Sequence, residues 1–119
     1  AANKGIVVGT GNKVEDFGVG FYTKYGDGGV DISPIADCNK SEVWELGKEL
    51  GILKEIIDAP PTDGLWDDGR TDEGQLGFKY SELEDAMGNP NSPHREQYEK
   101  IRNQNLHKME PIPVCKIPS

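Results

Sequence analysis

The hydrophobic positions at the start of the chain form two short clusters separated by glycines. The run from Gly5 to Gly9 (GIVVG) is apolar and β-branched without alternation, which is typical of a buried parallel strand. The segment 31–35 (DISPI) alternates weakly, and its proline predicts an edge or the end of a strand. Residues 10–29 between them are rich in glycine and predict a loop or a poorly capped helical turn.

Helical spacing of apolar residues begins after the second predicted strand. Asn39 and Glu42 occupy the N-cap and N3 positions of a helix that Gly51 terminates. The apolar stripe of this helix consists of Val43, Leu46, Gly47 and Leu50. A further short helix is predicted over residues 52–57, before Pro60 and Pro61 interrupt the chain.

A long polar segment separates these helices from the last part of the chain. Residues 60–77 have Leu65 and Trp66 as apolar positions, and such long segments are usually functional lids or disordered. Ser81 and Glu84 predict a capping box for a helix over 80–87. Ser92 and Pro93 begin a last helix that runs to about residue 108. The inward positions of this last helix are Tyr98, Ile101 and Leu106. An extended tail completes the order of strand, loop, strand and helices, which is the back half of an α/β unit.

Composition restricts the class of protein. The 119 residues have the length of one domain, and the hydrophobic fraction of 34% predicts a lean core. The 15 glycines and 8 prolines indicate much loop, or a core completed against another surface. A net charge of −8 disfavours nonspecific nucleic-acid binding and adhesion to anionic membranes. Without a transmembrane run or a leader, and with Cys38 and Cys115 outside any metal spacing, the sequence predicts a soluble cytoplasmic protein.

The glycine-rich stretch does not match the known phosphate loops. Val14 stands where a dinucleotide fingerprint begun by Gly9 and Gly11 requires a third glycine, and no register fits a Walker loop. From the glycines alone, a simple turn after a strand is the favoured interpretation. The polar residues near these glycines favour a ligand-binding role more strongly than the glycines alone do.

Several side chains near these glycines suit a nucleotide and its metal. Thr10 follows the first predicted strand, at the end where open α/β sheets bind ligands. Glu15 is a hard oxygen ligand of the type that Mg²⁺ prefers. Lys40 begins a helix, where the dipole disfavours a cation, so it suits either a bound phosphate or solvent. Thr62 follows two prolines and is either a turn threonine or a hydroxyl aimed at a ligand.

Other charged residues carry weaker signals. Lys24 and Asp31 flank YGDGG, whose glycines allow close backbone approach. His107 and Lys108 end the last helix, where the helix dipole alone accounts for cations. Four carboxylates crowd the polar segment and predict a solvated acidic lid: Asp67, Asp68, Asp72 and Glu73. No Ser/His/Asp or Cys/His pattern indicates a nucleophile, so the catalytic residues stay unassigned.

Five stretches in this order resemble NAD synthetase, the amidating ligase. They are VVGTGNKVEDFGVGFYTKYGDGGVDISPI, NKSEVWELGKELGI, PPTDGLW, RTDEGQLGFKY and LHKMEPIPV, and together they cover essentially the whole chain. The resemblance implies an α/β fold, namely the C-terminal portion of an adenine-nucleotide α-hydrolase-like doubly wound parallel sheet. It also implies a homodimer that uses ATP and Mg²⁺ to adenylate deamido-NAD. Ammonia then displaces AMP to form NAD, after release of pyrophosphate.

The resemblance also assigns roles to residues at matching positions. Thr10, Lys40 and Thr62 would contact ATP, and Glu15 would bind Mg²⁺. The residues implied to contact deamido-NAD are Lys24, Asp31, His107 and Lys108. The segment 63–76 would be a mobile loop that closes over the reacting carboxylate. The chain would thus divide into strands and glycine-rich loop (1–38), helices (39–59), lid (60–77) and C-terminal helices with tail (78–119).

One departure from the family pattern changes the expectation of activity. The family's Ser-Gly-Gly-x-Asp-Ser loop, which grips the phosphates of ATP, is not found in these 119 residues. We therefore expect the chain to be inactive without the N-terminal half of the synthetase. Two alternatives stay open: a non-catalytic nucleotide-binding or interaction module of the same fold, and an incomplete domain that associates through an uncovered sheet edge. Ammonia and glutamine are both open as nitrogen donors.

Overall fold

The described part of the chain consists of a π-helix and α-helices joined by irregular segments. The computed structural model describes residues 2–62 and 68–118. Its helical elements are a π-helix (Val14–Val19), α1 (Lys40–Glu49), α2 (Lys54–Ile57), α3 (Asp72–Leu76), α4 (Tyr80–Gly88) and α5 (Arg95–Met109). The helices predicted around residues 39–57 and 80–108 are therefore present.

The two predicted strands meet in a single parallel bridge between Val8 and Ile32. The Gly9 N–H donates to the Ile32 carbonyl oxygen at 2.7 Å, and the Asp31 N–H donates to the Val7 carbonyl oxygen at 2.9 Å. The prediction that the first strand is buried is wrong, because Val7 and Val8 are 56% and 52% exposed.

The core lies where the π-helix packs against α4 and α5. Its buried side chains are Val14, Val19, Phe78, Tyr80, Leu83, Ala86 and Tyr98. Tyr98 therefore faces inward as predicted, and Ile101 packs against the same cluster. The glycine-rich segment, predicted to be a loop or a helical turn, thus supplies one wall of the core through its π-helix.

The N-terminus of α1 is capped by another helix. Asn39 occupies the N-cap position with an extended backbone, but its side chain makes no capping bond. Glu84 of α4 accepts hydrogen bonds from the Ser41 N–H at 2.9 Å and the Ser41 hydroxyl at 2.8 Å. A carboxylate therefore neutralises the positive end of the α1 dipole from across the fold.

The predicted capping box at Ser81 and Glu84 is wrong, because the Glu84 carboxylate accepts hydrogen bonds from Ser41 of α1 instead. Helix α4 begins at Tyr80 as predicted, but its N-cap residue is Lys79, two residues before Ser81. The Lys79 N–H donates to the Glu82 carboxylate at 2.9 Å. A glutamate at N3 thus accepts from the N-cap N–H, as in a capping box, two residues earlier than the sequence pattern indicates.

The polar segment 60–77 contains a short helix and is not loop throughout. The Thr71 hydroxyl accepts from the Gly74 N–H at 3.0 Å and caps α3. Residues 63–67, with Leu65, Trp66 and Asp67, lie outside the described residues. The predicted mobility of the 63–76 segment stays a prediction.

The chain exposes more surface than a closed domain of its length. Its radius of gyration is 16.5 Å, against about 13.5 Å expected for a compact domain. Its accessible surface is 8783 Å², against about 6,400 Å² expected from its mass. Part of the excess is apolar surface on and beside α1 and α2: Leu46, Leu50, Ile52, Leu53 and Ile56. The lean core expected from composition is therefore accompanied by an open apolar face.

None of the helices in the two described ranges combines the length and the apolar character that a membrane span requires.

Candidate functional site

Three of the predicted ligand-binding residues meet at one cavity. A cavity of about 680 Å³ is lined by Thr10, Thr62 and Lys108. Its remaining lining residues are Phe21, Tyr22, Thr23 and Asp27. Residues from three distant parts of the chain thus line the same space, together with two aromatic residues.

Lys108 is held at this cavity by contacts with the glycine-rich segment. Its ammonium donates to the Gly20 carbonyl oxygen at 2.9 Å and lies 5.7 Å from the centre of the Tyr22 ring. The Tyr22 hydroxyl in turn donates to the Lys108 carbonyl oxygen at 2.9 Å. Since Lys108 is in the last turn of α5, these contacts join that helix end to the cavity wall.

Lys24 lies at the same end of α5. Its ammonium donates to the carbonyl oxygens of His107 at 2.7 Å and Glu110 at 2.8 Å. A cation at a helix C-terminus is favoured because the last carbonyl groups lack helical partners there. Lys24, His107 and Lys108, three of the four residues implied for deamido-NAD, are therefore neighbours.

Asp31, the fourth of that set, has a different local role. Its carboxylate accepts from the Val7 N–H at 2.7 Å, beside the parallel bridge. This bond ties the two extended segments together, so Asp31 stabilises the strand pair that precedes Thr10.

Glu15 is in the π-helix and faces α4. One carboxylate oxygen accepts from the Tyr80 hydroxyl at 2.5 Å, and the other accepts from the Asn12 N–H at 3.3 Å. Each carboxylate oxygen has two acceptor sites, so acceptor capacity is left for a cation. Within residues 2–62 and 68–118, no group of three His, Cys, Asp or Glu side chains is arranged to hold a metal ion. Glu15 therefore fits Mg²⁺ as one oxygen ligand, alongside phosphate oxygens and water.

Lys40 lies apart from Thr10 and Thr62. Its ammonium is 5.3 Å from the centre of the Tyr80 ring and 5.9 Å from that of Trp44. The two rings contact each other edge to face, with centroids 6.4 Å apart. The residues implied for ATP and Mg²⁺ thus form two groups: Thr10 and Thr62 at the cavity, and Glu15 and Lys40 on Tyr80.

Two aspartates near the cavity were not identified from the sequence. Asp16 and Asp27 line a smaller cavity of about 150 Å³, and Asp27 also lines the larger one. Burial, with the negative charges of Glu15 and Asp27, raises the pKa of Asp16 to about 6. Asp27 accepts from the N–H and the hydroxyl of Thr23, both at 2.6 Å. The only sequence signals were that Asp27 lies between two glycines and that Asp16 follows Glu15.

Asn12 is a third residue that was not identified from the sequence. It is 2% exposed, and its side-chain oxygen accepts from the N–H groups of Val14 at 3.0 Å and Glu15 at 3.2 Å. An asparagine two and three residues before those amides is a local turn signature, and it could have identified the start of the π-helix. Asn12 therefore fixes the backbone that carries Glu15.

Comparison with known proteins gives a consistent set of similarities. The family model described as NAD synthase matches residues 1–117. The NH(3)-dependent NAD(+) synthetase of Alkaliphilus oremlandii is 41% identical over 114 residues, which cover 94% of this chain and 45% of that protein. The enzyme of the same name from Methanosarcina acetivorans is 52% identical over 82 residues, or 69% of this chain and 31% of that protein. The chain thus spans less than half the length of these curated relatives.

Two solved structures share the fold. The NMN synthetase of Francisella tularensis superimposes with a TM-score of 0.84 and 38% identity, covering 94% of this chain and 47% of that one. The NH3-dependent NAD synthetase of Campylobacter jejuni, in complex with nitrate, gives a TM-score of 0.64 and 23% identity. That second likeness covers 97% of this chain and 47% of the other, and it concerns the fold alone. Both support an α/β nucleotide-binding fold for this chain.

Proposed function

Because the chain belongs to the NAD synthase family, we propose that it forms part of the active site of an ATP-dependent amide-forming ligase. The ligase adenylates the nicotinate carboxylate of deamido-NAD, releases pyrophosphate, and lets ammonia displace AMP to form NAD. The observation that carries this proposal is the shared cavity of Thr10, Thr62 and Lys108, residues from three separate segments. Curated relatives named for ammonia support that nitrogen donor.

The adenylation step explains why this chain would supply cations and hydroxyls. A negatively charged carboxylate must approach a polyanionic triphosphate, and that repulsion has to be offset in the transition state. Lys40 would offset it from the start of α1, while Thr10 and Thr62 would contact ATP. The Thr62 hydroxyl donates its one proton to the Arg70 carbonyl oxygen at 3.0 Å, so it would exchange that bond to donate to ATP. Mg²⁺, when bound, supplies further charge neutralisation, and Glu15 would be one of its ligands.

The substrate carboxylate would be positioned by the residues at the end of α5. Lys24, His107 and Lys108 at this end, and Asp31 beside the parallel bridge, would contact deamido-NAD. The Lys24 ammonium donates two hydrogen bonds to backbone carbonyl oxygens and the Lys108 ammonium donates one. Since an ammonium has three N–H donors, each lysine retains donor capacity for an anion. The 63–76 segment would close over the acyl-adenylate and exclude water, which would otherwise hydrolyse it.

The proposed ligase requires a second polypeptide segment. The 119 residues lack the Ser-Gly-Gly-x-Asp-Ser loop, and we propose that an N-terminal half provides it. That half would also complete the doubly wound parallel sheet, of which the Val8–Ile32 pair is one edge. The open apolar face of α1 and α2 and the surface in excess of a closed domain support this arrangement. We further propose that the complete enzyme is a cytoplasmic homodimer.

Reconstitution from two halves tests the proposal. This chain is coexpressed with an N-terminal half that carries the phosphate loop, and NAD formation is measured with ATP, Mg²⁺, deamido-NAD and ammonia. We expect turnover from the complex and none from either half. A folded complex that binds ATP without turnover would instead support a non-catalytic nucleotide-binding module.

A second candidate function is amidation of the corresponding mononucleotide. The likeness to an NMN synthetase, at 38% identity and a TM-score of 0.84, favours it. The same complex is therefore assayed with nicotinate mononucleotide and with deamido-NAD, and the two kcat/KM values are compared. A higher value for the mononucleotide would replace deamido-NAD as the proposed substrate. Glutamine in place of ammonia tests the nitrogen donor in the same assay.

A further inference from the structure

Tyr80 is a buried residue that contacts two separate residues of the proposed ATP and Mg²⁺ site. It is the first residue of α4 and is 1% exposed. Its hydroxyl donates a hydrogen bond to the Glu15 carboxylate, and its ring lies beside the Lys40 ammonium. Neither the sequence pattern nor the family resemblance assigned it a role.

The hydroxyl contact is short and directional. The 2.5 Å separation from the Glu15 oxygen is typical of a hydrogen bond between a hydroxyl and an ionised carboxylate. A phenol is a hydrogen-bond donor at neutral pH and an ionised carboxylate only accepts, so the Tyr80 hydroxyl donates and Glu15 accepts. This donation selects one rotamer of the Glu15 side chain.

The rest of Tyr80 is fixed by its surroundings. Its N–H donates to the Glu73 carboxylate at 3.0 Å, and its ring contacts Trp44 edge to face. A residue held at its backbone, its ring and its hydroxyl has little freedom to follow a moving carboxylate. The carboxylate must therefore adopt the position that Tyr80 sets.

We propose that Tyr80 is a positioning residue of this ligase, whose hydroxyl orients the Glu15 carboxylate for Mg²⁺ while its ring keeps Lys40 beside it. The proposal rests on the function proposed above. Groups that orient metal ligands typically contribute about 10–100-fold to metal affinity. An alternative is that Tyr80 is only a core tyrosine, and the two interpretations predict different results for removal of the hydroxyl.

Tyr80→Phe removes the hydroxyl and retains the ring that packs in the core and faces Lys40. Tyr98→Phe is the matched control, because Tyr98 is a second buried tyrosine of the same core. In the reconstituted complex, calorimetry measures the Mg²⁺ concentration that half-saturates binding of a nonhydrolysable ATP analogue. We expect Tyr80→Phe to raise this concentration about tenfold or more, and Tyr98→Phe to leave it within about twofold of the unsubstituted complex.

A double-mutant cycle separates action through Glu15 from a general effect on the fold. Glu15→Gln and the double variant Tyr80→Phe/Glu15→Gln are measured in the same titration. If Tyr80 acts through Glu15, the second substitution adds little to the first. Additive losses of Mg²⁺ affinity in the double variant would overturn the positioning role. The role would also be overturned if Tyr80→Phe lowered the stability of the complex as Tyr98→Phe does and left its Mg²⁺ dependence unchanged. Failure of the proposed function would appear separately, as absent turnover in the unsubstituted complex.

Discussion

Tyr22 and Lys108 make two contacts with each other, and these contacts connect the glycine-rich segment to the last turn of α5. The Tyr22 hydroxyl donates to the Lys108 carbonyl oxygen at 2.9 Å, and the Lys108 ammonium lies 5.7 Å from the Tyr22 ring centre. Both side chains line the cavity that Thr10 and Thr62 also reach. The geometry of this cavity therefore depends on how α5 docks.

Removal of the Tyr22 hydroxyl tests that dependence. Tyr22→Phe should lower the free energy of unfolding by about 1 kcal/mol, the usual net contribution of one hydrogen bond. Urea unfolding followed by circular dichroism measures the change. Tyr25→Phe is the control, because Tyr25 is 71% exposed and should change the free energy by less than about 0.5 kcal/mol. Equal effects in both variants would contradict the assigned role.

Gly20 should resist substitution more strongly than other glycines with positive φ. Its φ is 70°, and a Cβ there would lie 2.5 Å from the Asn105 Cβ. Gly51 has φ 73°, but a Cβ there meets no described atom within 4 Å. We expect Gly51→Ala to cost about 1–2 kcal/mol from backbone strain. Gly20→Ala should cost at least about 2 kcal/mol more through overpacking, and similar thermal midpoints for the two variants would contradict this account.

The cross-helix cap from Glu84 can be observed at a single amide. Glu84→Ala removes the acceptor of the Ser41 N–H, so α1 should fray at its start and lose about 1 kcal/mol. Hydrogen exchange at the Ser41 amide should accelerate several-fold. Asp85→Ala, on the exposed side of α4, is the control and should leave that amide unchanged. Unchanged exchange in Glu84→Ala would show that Asn39 or solvent caps the helix.

Lys40 should matter for ATP use in the reconstituted ligase. Lys40→Ala should lower kcat/KM for ATP by a factor equivalent to about 1.5–3 kcal/mol, the range for hydrogen bonds to charged groups. Lys100→Ala, at an exposed position of α5, controls for loss of one positive charge. Steady-state kinetics at saturating deamido-NAD measure the effect. Equal values for the two variants would remove Lys40 from the proposed site.

Asp16 should make stability decrease as pH rises through the weakly acidic range. Its pKa is raised from 3.8 to about 6 in the folded chain, so the folded state binds more protons than the unfolded state between these values. Its contribution to the free energy of unfolding therefore falls over that range and is constant above it. Because Asp16 is partly exposed, the expected loss is discounted to about 1 kcal/mol.

Asp16→Asn removes this titration. The free energy of unfolding of the variant, relative to the unsubstituted chain, should rise by about 1 kcal/mol between about pH 4 and about pH 7. Denaturant unfolding at several pH values measures the difference. Asp37→Asn, at an exposed position, controls for loss of one negative charge. A pH-independent difference for Asp16→Asn would contradict the raised pKa.

Much of the local structure and the family could be predicted from the sequence. The helix ended by Gly51 and the helix that contains Tyr98 follow from spacing and turn residues over short distances. The parallel orientation of the first strand was predicted from an apolar run without alternation. The ordered motifs indicated the NAD synthase family, and the family-model match confirms it. The resemblance implied that Thr10, Lys40 and Thr62 contact ATP together. In the structure Thr10 and Thr62 line a cavity with Lys108, while the Lys40 ammonium lies beside Tyr80.

The contacts that organise the candidate site could not be predicted in the same way. Glu84 satisfies the capping pattern with Ser81, yet it bonds Ser41, which is 43 residues away. Burial of the first strand was also predicted wrongly. An apolar run indicates that burial would be favourable, but it does not show whether other elements of the chain pack against it.

The amino-acid sequence by itself determined the helical segments and the family, because both depend on residue types at short, regular spacing. The tertiary structure alone decided that Glu15 and Lys40 both contact Tyr80, which is 65 residues from Glu15 in the chain. That contact depends on how α4 packs against the π-helix. Such packing is the sum of many weak contacts between distant residues, and no local pattern encodes it.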